Sequence, residues 1–521
     1  MGLLELILIA SVLYSVAVIA YRSAFHPLCC FPGPKLAAVT ELYQVYFDIV
    51  KRGGLLNHLR ELHGEYGPVV RIGPNTVHFA SERAYHDIYT HGQFPKYKPF
   101  YDGFAQPGSS FGYIDPQKAR TRRALLNPLF SRRAILKLEG VVQERVNKLV
   151  ERLSTWPKAQ SINMSFAFRC TTLDIITAYC FANCFNAVAA PGFRDPTICA
   201  IQGALHNFWL RKHFPILLRI VDILPEWLTL RVYPQVRPFL DNQRKLGNQI
   251  DRILTDPDVL KVVEHETIYH HMLDPVNEDG VGMDPKEHVQ LTRKDLLDEA
   301  MTLIGAGSDT VGSTCSTGTF HALYTPAIAR KLKEELESVW EDPGSPVDLA
   351  VLEKLPYLTA FLKESLRFGH GVVSPLPRVV GDTGAVIDGM AIPPGTVISM
   401  SCVFLHESPD IFDDPLTFSP ERWLQSDIRH MEHNLVPFSK GQRIWYLLIP
   451  YQMFSLILIG TCSLGLNLAW CELYLIIANI FRKLDMKLGD TTLEDMRNYK
   501  EYLVPHWENS SVNIIVDAAR G

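Results

Sequence analysis

At 521 residues the chain is long enough for one large domain or two to three ordinary ones, and no low-complexity linker past residue 35 argues for division. A formal net charge of −5 with 21% charged residues excludes a basic field of the kind that binds nucleic acid. Ten cysteines, scattered and without a paired framework, exclude a secreted disulfide scaffold and suit a reducing compartment.

Leu3 to Tyr21 reads LLELILIASVLYSVAVIAY, with only Glu5 charged, which predicts a helix able to span a bilayer. A cleaved signal peptide is the competing reading, but a basic leading segment is missing. Arg22 and Lys35 place positive charge after the span, which favours a cytoplasmic body. The division is therefore a membrane anchor over 1–22, a proline-rich hinge over 23–35 and a body over 36–521. In the hinge, His26-Pro27 and Phe31-Pro32-Gly33-Pro34-Lys35 stiffen the elbow, because proline fixes φ and removes a donor. Residues 55–66 carry helical spacing and stop at Gly67-Pro68. Val69–Ile72 and Thr76–Phe79 predict a strand pair turned by Gly73-Pro74-Asn75, with helix resuming from Ser81. Gln117 to Phe130 sets Arg122 and Arg123 ahead of an apolar run, a pattern that a solvated basic face would also give. From 134 to 272 the tendency is helical and chemically plain.

Leu296 to Leu323 predicts a long apolar helix, interrupted at Gly305-Ala306-Gly307-Ser308-Asp309-Thr310. Glycines and an acid inside a core helix are costly, so they imply either close packing against a neighbour or use in chemistry. Glu364-Ser365-Leu366-Arg367 puts opposite charges three apart on one helical face, a common surface pattern in isolation. Pro375 to Val379 contains Arg378, and Ile392 to Val397 reads as a turn into a short strand. Phe418-Ser419-Pro420-Glu421-Arg422-Trp423 and Phe438-Ser439-Lys440-Gly441-Gln442-Arg443-Ile444 follow, and Leu466 to Phe481 is helical again.

In order and type these motifs resemble the cytochrome P450 family: [AG]-G-x-[DE]-T, E-x-x-R, F-x-P-E-R-W and F-x-x-G-x-R-x-C-x-G. The resemblance implies a mainly α fold with small β-sheets behind one transmembrane helix. It also implies haem b held by a cysteine thiolate, and insertion of one oxygen atom from O2 into an apolar small molecule. Electrons would come from NADPH through a separate membrane partner, NADPH–cytochrome P450 reductase, since no G-x-G-x-x-G loop is present. The implied location is the endoplasmic reticulum membrane, single-pass, with the body cytoplasmic. Carried over residue by residue, Ala306 and Gly307 leave room for dioxygen, while Thr310 and Asp309 organise and feed protons. Arg123, Arg378 and Arg443 meet the haem propionates, and Phe438, Gly441 and Gly465 shape the ligand loop. Glu364, Arg367 and Arg422 close a charge triad beneath it. Ala119 stands where the family has His or Trp, which removes one propionate contact. The FPGPKLA and NPLFS stretches look like filamentous-fungal members that act on terpenoids and other secondary metabolites.

The ligand itself is missing from its place. Seven residues on from Phe438 is Trp445, and two back from Gly465 is Ser463. Between them lies WYLLIPYQMFSLILIGTCS, apolar and uncharged, whose Cys462 is the nearest thiol. Read as an unspliced intron, the segment opens inside the Trp445 codon and closes inside that of Ser463. The joined codon then specifies cysteine. A second span and a true insertion in a diverged paralogue are the other readings. The last would make the chain a membrane-anchored inactive pseudoenzyme.

Overall fold

The computed structural model describes residues 2–158, 160–216, 223–273, 291–440, 464–507 and 512–519. The chain is mostly helical, with four small sheets among the described residues.

Helix α1, Leu3–Ala20, runs on through a wide turn at Tyr21–Phe25, so the apolar helix is 23 residues long, and Leu3–Ala20 buries no residue among the described ones. At 1.5 Å per residue that is about 35 Å, enough to cross a hydrocarbon core. Helix α2, Leu55–Tyr66, buries Leu55, Leu56, Leu59 and Leu62 and ends at Gly67, whose φ of 88° suits only glycine. Strands β1 (Val69–Gly73) and β2 (Thr76–Phe79) form the predicted antiparallel pair. Two later strands, β3 (Arg378–Val379) and β4 (Val397–Ser399), complete the sheet in the order β1-β2-β4-β3.

The body is built from α3 (Pro116–Leu126), α4 (Glu139–Ser154), α5 (Met164–Phe181), α6 (Pro196–His206) and α7 (Arg237–Thr255). To these it adds α8 (Arg293–Tyr324), α9 (Pro326–Val339), α10 (Pro356–Gly369) and α11 (Leu466–Lys483). The stretch 134–272 is not uniformly helical: Ile162–Asn163 pairs with Asn513–Ala519, which also pairs with Leu484–Leu488.

Helix α8 is the central strut, packed on α5, α10, α7 and α11. It starts three residues earlier than its apolar pattern suggests, because Thr292 and Asp295 cap each other reciprocally. Gly305–Thr310 interrupts the apolar pattern but not the backbone, and the helix is continuous as expected. Each interior glycine costs about 1 kcal/mol of helix propensity, which close packing offsets at Gly307 and Gly312 on α5 and at Gly318 on α10.

Candidate active site

A cavity of about 2890 Å³ opens beside α8, larger than a pocket for one drug-sized ligand. Residues 306 and 310 are four apart and share the face of α8 that borders it. The Thr310 hydroxyl donates to the Ala306 carbonyl at 3.0 Å, and that of Thr314 to the Thr310 carbonyl at 3.1 Å. Gly307, expected to share the open space with Ala306, has a second duty. A Cβ there would meet Ile176 Cγ1 of α5 at 2.8 Å, so its bareness serves helix packing, whereas a Cβ on Gly305 would meet nothing within 4 Å.

Asp309 is turned away from Thr310 toward α5 and α6. Its Oδ1 accepts from Arg169 Nε at 2.5 Å and from Gln202 Nε2 at 2.8 Å. Its buried Oδ2 has no partner among the described residues. Arg169 and Gln202 are contributions that the sequence did not announce.

At one side of the cavity three cations converge. Arg123 lies on α3, Arg378 on β3, and Lys96 pairs with Arg378 through an isolated β-bridge. Lys96 Nζ donates to the Phe111 carbonyl at 2.5 Å and lies over the Tyr101 ring, and Arg378 donates to the Tyr101 hydroxyl. Burial, with Arg378 and Arg123 nearby, pushes the Lys96 ammonium down to about 7. Burial and Arg378 likewise lower Arg123. Among the described residues no carboxylate pairs with any of the three. The nearest candidate, Glu299, is taken by Ser110 (2.7 Å from N, 2.6 Å from Oγ) and by Arg122. The adjacent arginines therefore divide: Arg122 is buried and ties α3 to α8, and Arg123 faces the cavity.

Opposite lies the start of α11, capped by Gly465, with Phe438 and Leu464 at the rim. Gly441, Arg443, Trp445, Cys462 and the whole insertion 445–463 fall outside the described residues. Of the described cysteines, Cys402 borders the cavity, but its Sγ donates to the His370 and Val372 carbonyls, and burial pushes it up to about 12. It stays a thiol.

Beneath, the structure brings Glu364, Arg367 and Arg422 together. Glu364 accepts from Arg367 Nε (3.0 Å) and Nη2 (2.7 Å), from Arg422 Nε (3.1 Å), and from Ser419 N (3.0 Å). Trp423 Nε1 adds a fifth bond at 2.8 Å, which the sequence reading did not assign. Arg367 also donates to the His406 carbonyl at 2.7 Å, and the His406 ring accepts from Val436 N at 3.0 Å. That relay ties the triad to the segment entering the ligand loop.

The family model described as Cytochrome P450 matches residues 32–444. The chain belongs to the cytochrome P450 family. Cytochrome P450 monooxygenase MO6277 of Ascocoryne sarcoides is 33% identical, covering 96% of each chain. Tryptophan 6-hydroxylase fscE of Fusarium equiseti is 33% identical over 93% of this chain and 91% of its own. Conidiogenone synthase of Penicillium rubens is 34% identical over 93% and 92%. The protein is thus a P450 monooxygenase, an oxidoreductase, and its family implies haem with a cysteine thiolate ligand. The described residues fit that group on one side: three half-buried cations lacking carboxylate partners among the described residues suit the two propionates of haem, and the cavity admits the macrocycle together with a substrate. The family match ends at Ile444, one residue before Trp445.

Proposed function

We propose that this P450 inserts one oxygen atom from O2 into an apolar secondary metabolite, of terpenoid or comparable character. The convergence of Lys96, Arg123 and Arg378 on an apolar cavity walled by Ala306 and Thr310 carries the reading. Phe104, Phe111, Leu205, Phe208, Leu376 and Leu503 line part of the cavity, so a substrate is held there by burial of apolar area. Bound haem would supply reductive activation of dioxygen, with Arg123, Arg378, Lys96 and, at the loop, Arg443 holding its propionates. Phe438, Gly441 and Gly465 would shape the ligand loop.

The remaining steps belong to this chain's side chains. Thr310 keeps a hydroxyl proton at the cavity wall, steadied by the Ala306 carbonyl. Asp309, held by Arg169 and Gln202 through Oδ1, keeps its buried Oδ2 unpartnered among the described residues and would feed protons toward Thr310. Ala306 leaves space for dioxygen. Electrons come from NADPH through a separate reductase, and the chain sits in the endoplasmic reticulum membrane by α1.

The active chain, in the same proposal, lacks Trp445–Ser463 and carries one cysteine between Ile444 and Leu464. Cys462 in the 521-residue form stands one residue too early relative to Gly465. Support comes from the place where the family match ends and from the codon arithmetic. The test is to sequence the transcript across this site and to record reduced, CO-bound spectra of both forms. A thiolate-type spectrum and product from the shorter form alone are expected, and equal spectra from both would overturn it. The same observation, Trp445 at the ligand position, favours the second reading of the 521-residue chain as an inactive pseudoenzyme.

A further inference from the structure

Cys29 and Cys30 follow the apolar helix at a distance of four and five residues, and both are exposed and free. Their position is held by the globule. The Cys29 amide donates to the His26 carbonyl at 2.8 Å, closing a tight turn directly after the helix. Leu28 is fully buried. From β1, the buried Arg71 donates to the carbonyls of Arg22 (3.1 Å), Leu28 (3.3 Å), Ala38 (3.3 Å) and Pro74 (2.8 Å). Gly33 lies flat on the Arg71 backbone, where a Cβ would come within 2.4 Å of its carbonyl. The elbow is therefore not a loose tether. It fixes two adjacent thiols one turn beyond the end of a bilayer-length helix, beside the cationic Arg22 and Arg71. Exposed Leu36, Leu42, Tyr46 and Val50 follow on the next segment, an apolar surface suited to a lipid interface.

We propose that Cys29 and Cys30 are a site of S-acylation, taking long-chain fatty acyl groups from an acyl thioester at the membrane surface. The proposal rests on the reading of Leu3–Phe25 as a membrane anchor. In the reaction the cysteine Sγ bonds to the acyl carbonyl carbon, and the carbon–sulfur bond to the carrier thiol breaks. The cysteine proton passes to the departing thiol, and nothing is oxidised or reduced. Juxtamembrane cysteines are the positions at which this chemistry meets its lipid substrate. Acyl chains here would pin the elbow to the bilayer and, through Arg71, set the depth of the catalytic body.

The full chain is expressed in a fungal host and its membranes are isolated. Free thiols are blocked with N-ethylmaleimide, thioesters are opened with neutral hydroxylamine, and the released thiols are tagged with a maleimide-polyethylene glycol. One or two hydroxylamine-dependent mass steps are expected, lost in the Cys29→Ser/Cys30→Ser variant and kept in Cys199→Ser, an exposed cysteine on α6. Alkaline carbonate extraction run in parallel should leave all three forms in the membrane. A membrane-retained chain without such a step overturns the acylation alone, as does a step that survives the double substitution or one released by reductant instead. A chain that carbonate strips from the membrane overturns the anchor reading and the proposal with it.

Discussion

Glu364→Ala removes the one carboxylate of the triad, and the structure sets the size of the effect. Five hydrogen bonds disappear, all charge-assisted because each ends on the carboxylate: two from Arg367 and one each from Arg422, Ser419 N and Trp423 Nε1. Arg367 keeps the His406 and Pro415 carbonyls, and Arg422 keeps those of Asp413 and Thr417, so neither guanidinium is bare. Both charges nevertheless stay buried without a counter-charge, for which a broken buried pair costs roughly 3–5 kcal/mol. Unfolding entropy near 2.1 cal/mol/K per residue gives a chain of this size about 1 kcal/mol per degree, so the midpoint should fall by about 3–5 °C. Trp423→Phe loses one bond to the carboxylate, about 1.5–3 kcal/mol or about 1–3 °C. Because Arg367 also holds His406, which holds Val436, the loss should extend to haem content. The assay is a thermal scan at fixed rate and a haem-to-protein ratio, on the form carrying one cysteine between Ile444 and Leu464. A Glu364→Ala protein melting within 1 °C of its parent with full haem would refute the account.

Thr310→Ala in the same form should lower product per reductant oxidised about tenfold, the worth of one lost hydrogen bond at the reacting centre, with peroxide rising; unchanged coupling would count against its role. Lys96 gives a pH dependence. Its folded pKa, about 7, lies below the unfolded value, so its burial penalty is full below pH 7 and fades as pH rises toward that value. An anionic cofactor prefers the protonated form, so haem affinity should be greatest below pH 7 and weaken up to about tenfold per pH unit above it. Lys96→Met should flatten that profile, as read by haem transfer to a scavenger protein. Gly307→Ala should destabilise by about 1–3 kcal/mol through overpacking on Ile176, seen as a lower melting temperature, whereas Ala306→Val, facing open space, should leave stability unchanged and reduce activity.

Elements whose cause is local were legible: α2 starts and stops where its leucine spacing and Gly67 place it, and the β1–β2 pair has the predicted turn. The triad was legible only through its motifs, since E-x-x-R alone does not tell a buried carboxylate from a surface pair. What stayed hidden was set by distant chain segments. Nothing near Lys96 marks it, because its meaning comes from a bridge to Arg378, nearly three hundred residues later. Asp309 was placed correctly on its helix, but its partners Arg169 and Gln202 lie on two other helices. The glycines inside α8 were legible, but what they pack against was not. Glycines weaken a helix in isolation, and here α5 packs into the space left at Gly307, while that at Gly305 stays open.

The flanks of 445–463 carry the last argument. On the upstream side Val436 N is held by His406, and Ser439 N closes a turn on the Val436 carbonyl at 3.0 Å. On the downstream side Gly465 caps α11, Ala469 N reaches the Gly465 carbonyl at 2.8 Å, and Asn467 Nδ2 holds the Phe130 carbonyl at 2.8 Å. Each flank is fixed by bonds between residues outside the insertion. A segment that had become part of the core would leave such partners unsatisfied when removed, at about 1–3 kcal/mol for each buried polar group. One that never belonged there adds Trp445, Tyr446, Phe454 and a run of leucines and isoleucines, apolar side chains that promote aggregation wherever they stay exposed. Replacing Trp445–Ser463 by one cysteine should therefore keep or raise the melting temperature of the haem-free chain and reduce its aggregation. Side-by-side thermal scans and light scattering of the two forms decide it, and a shorter form that melts several degrees lower would mean the insertion is a true part of this fold.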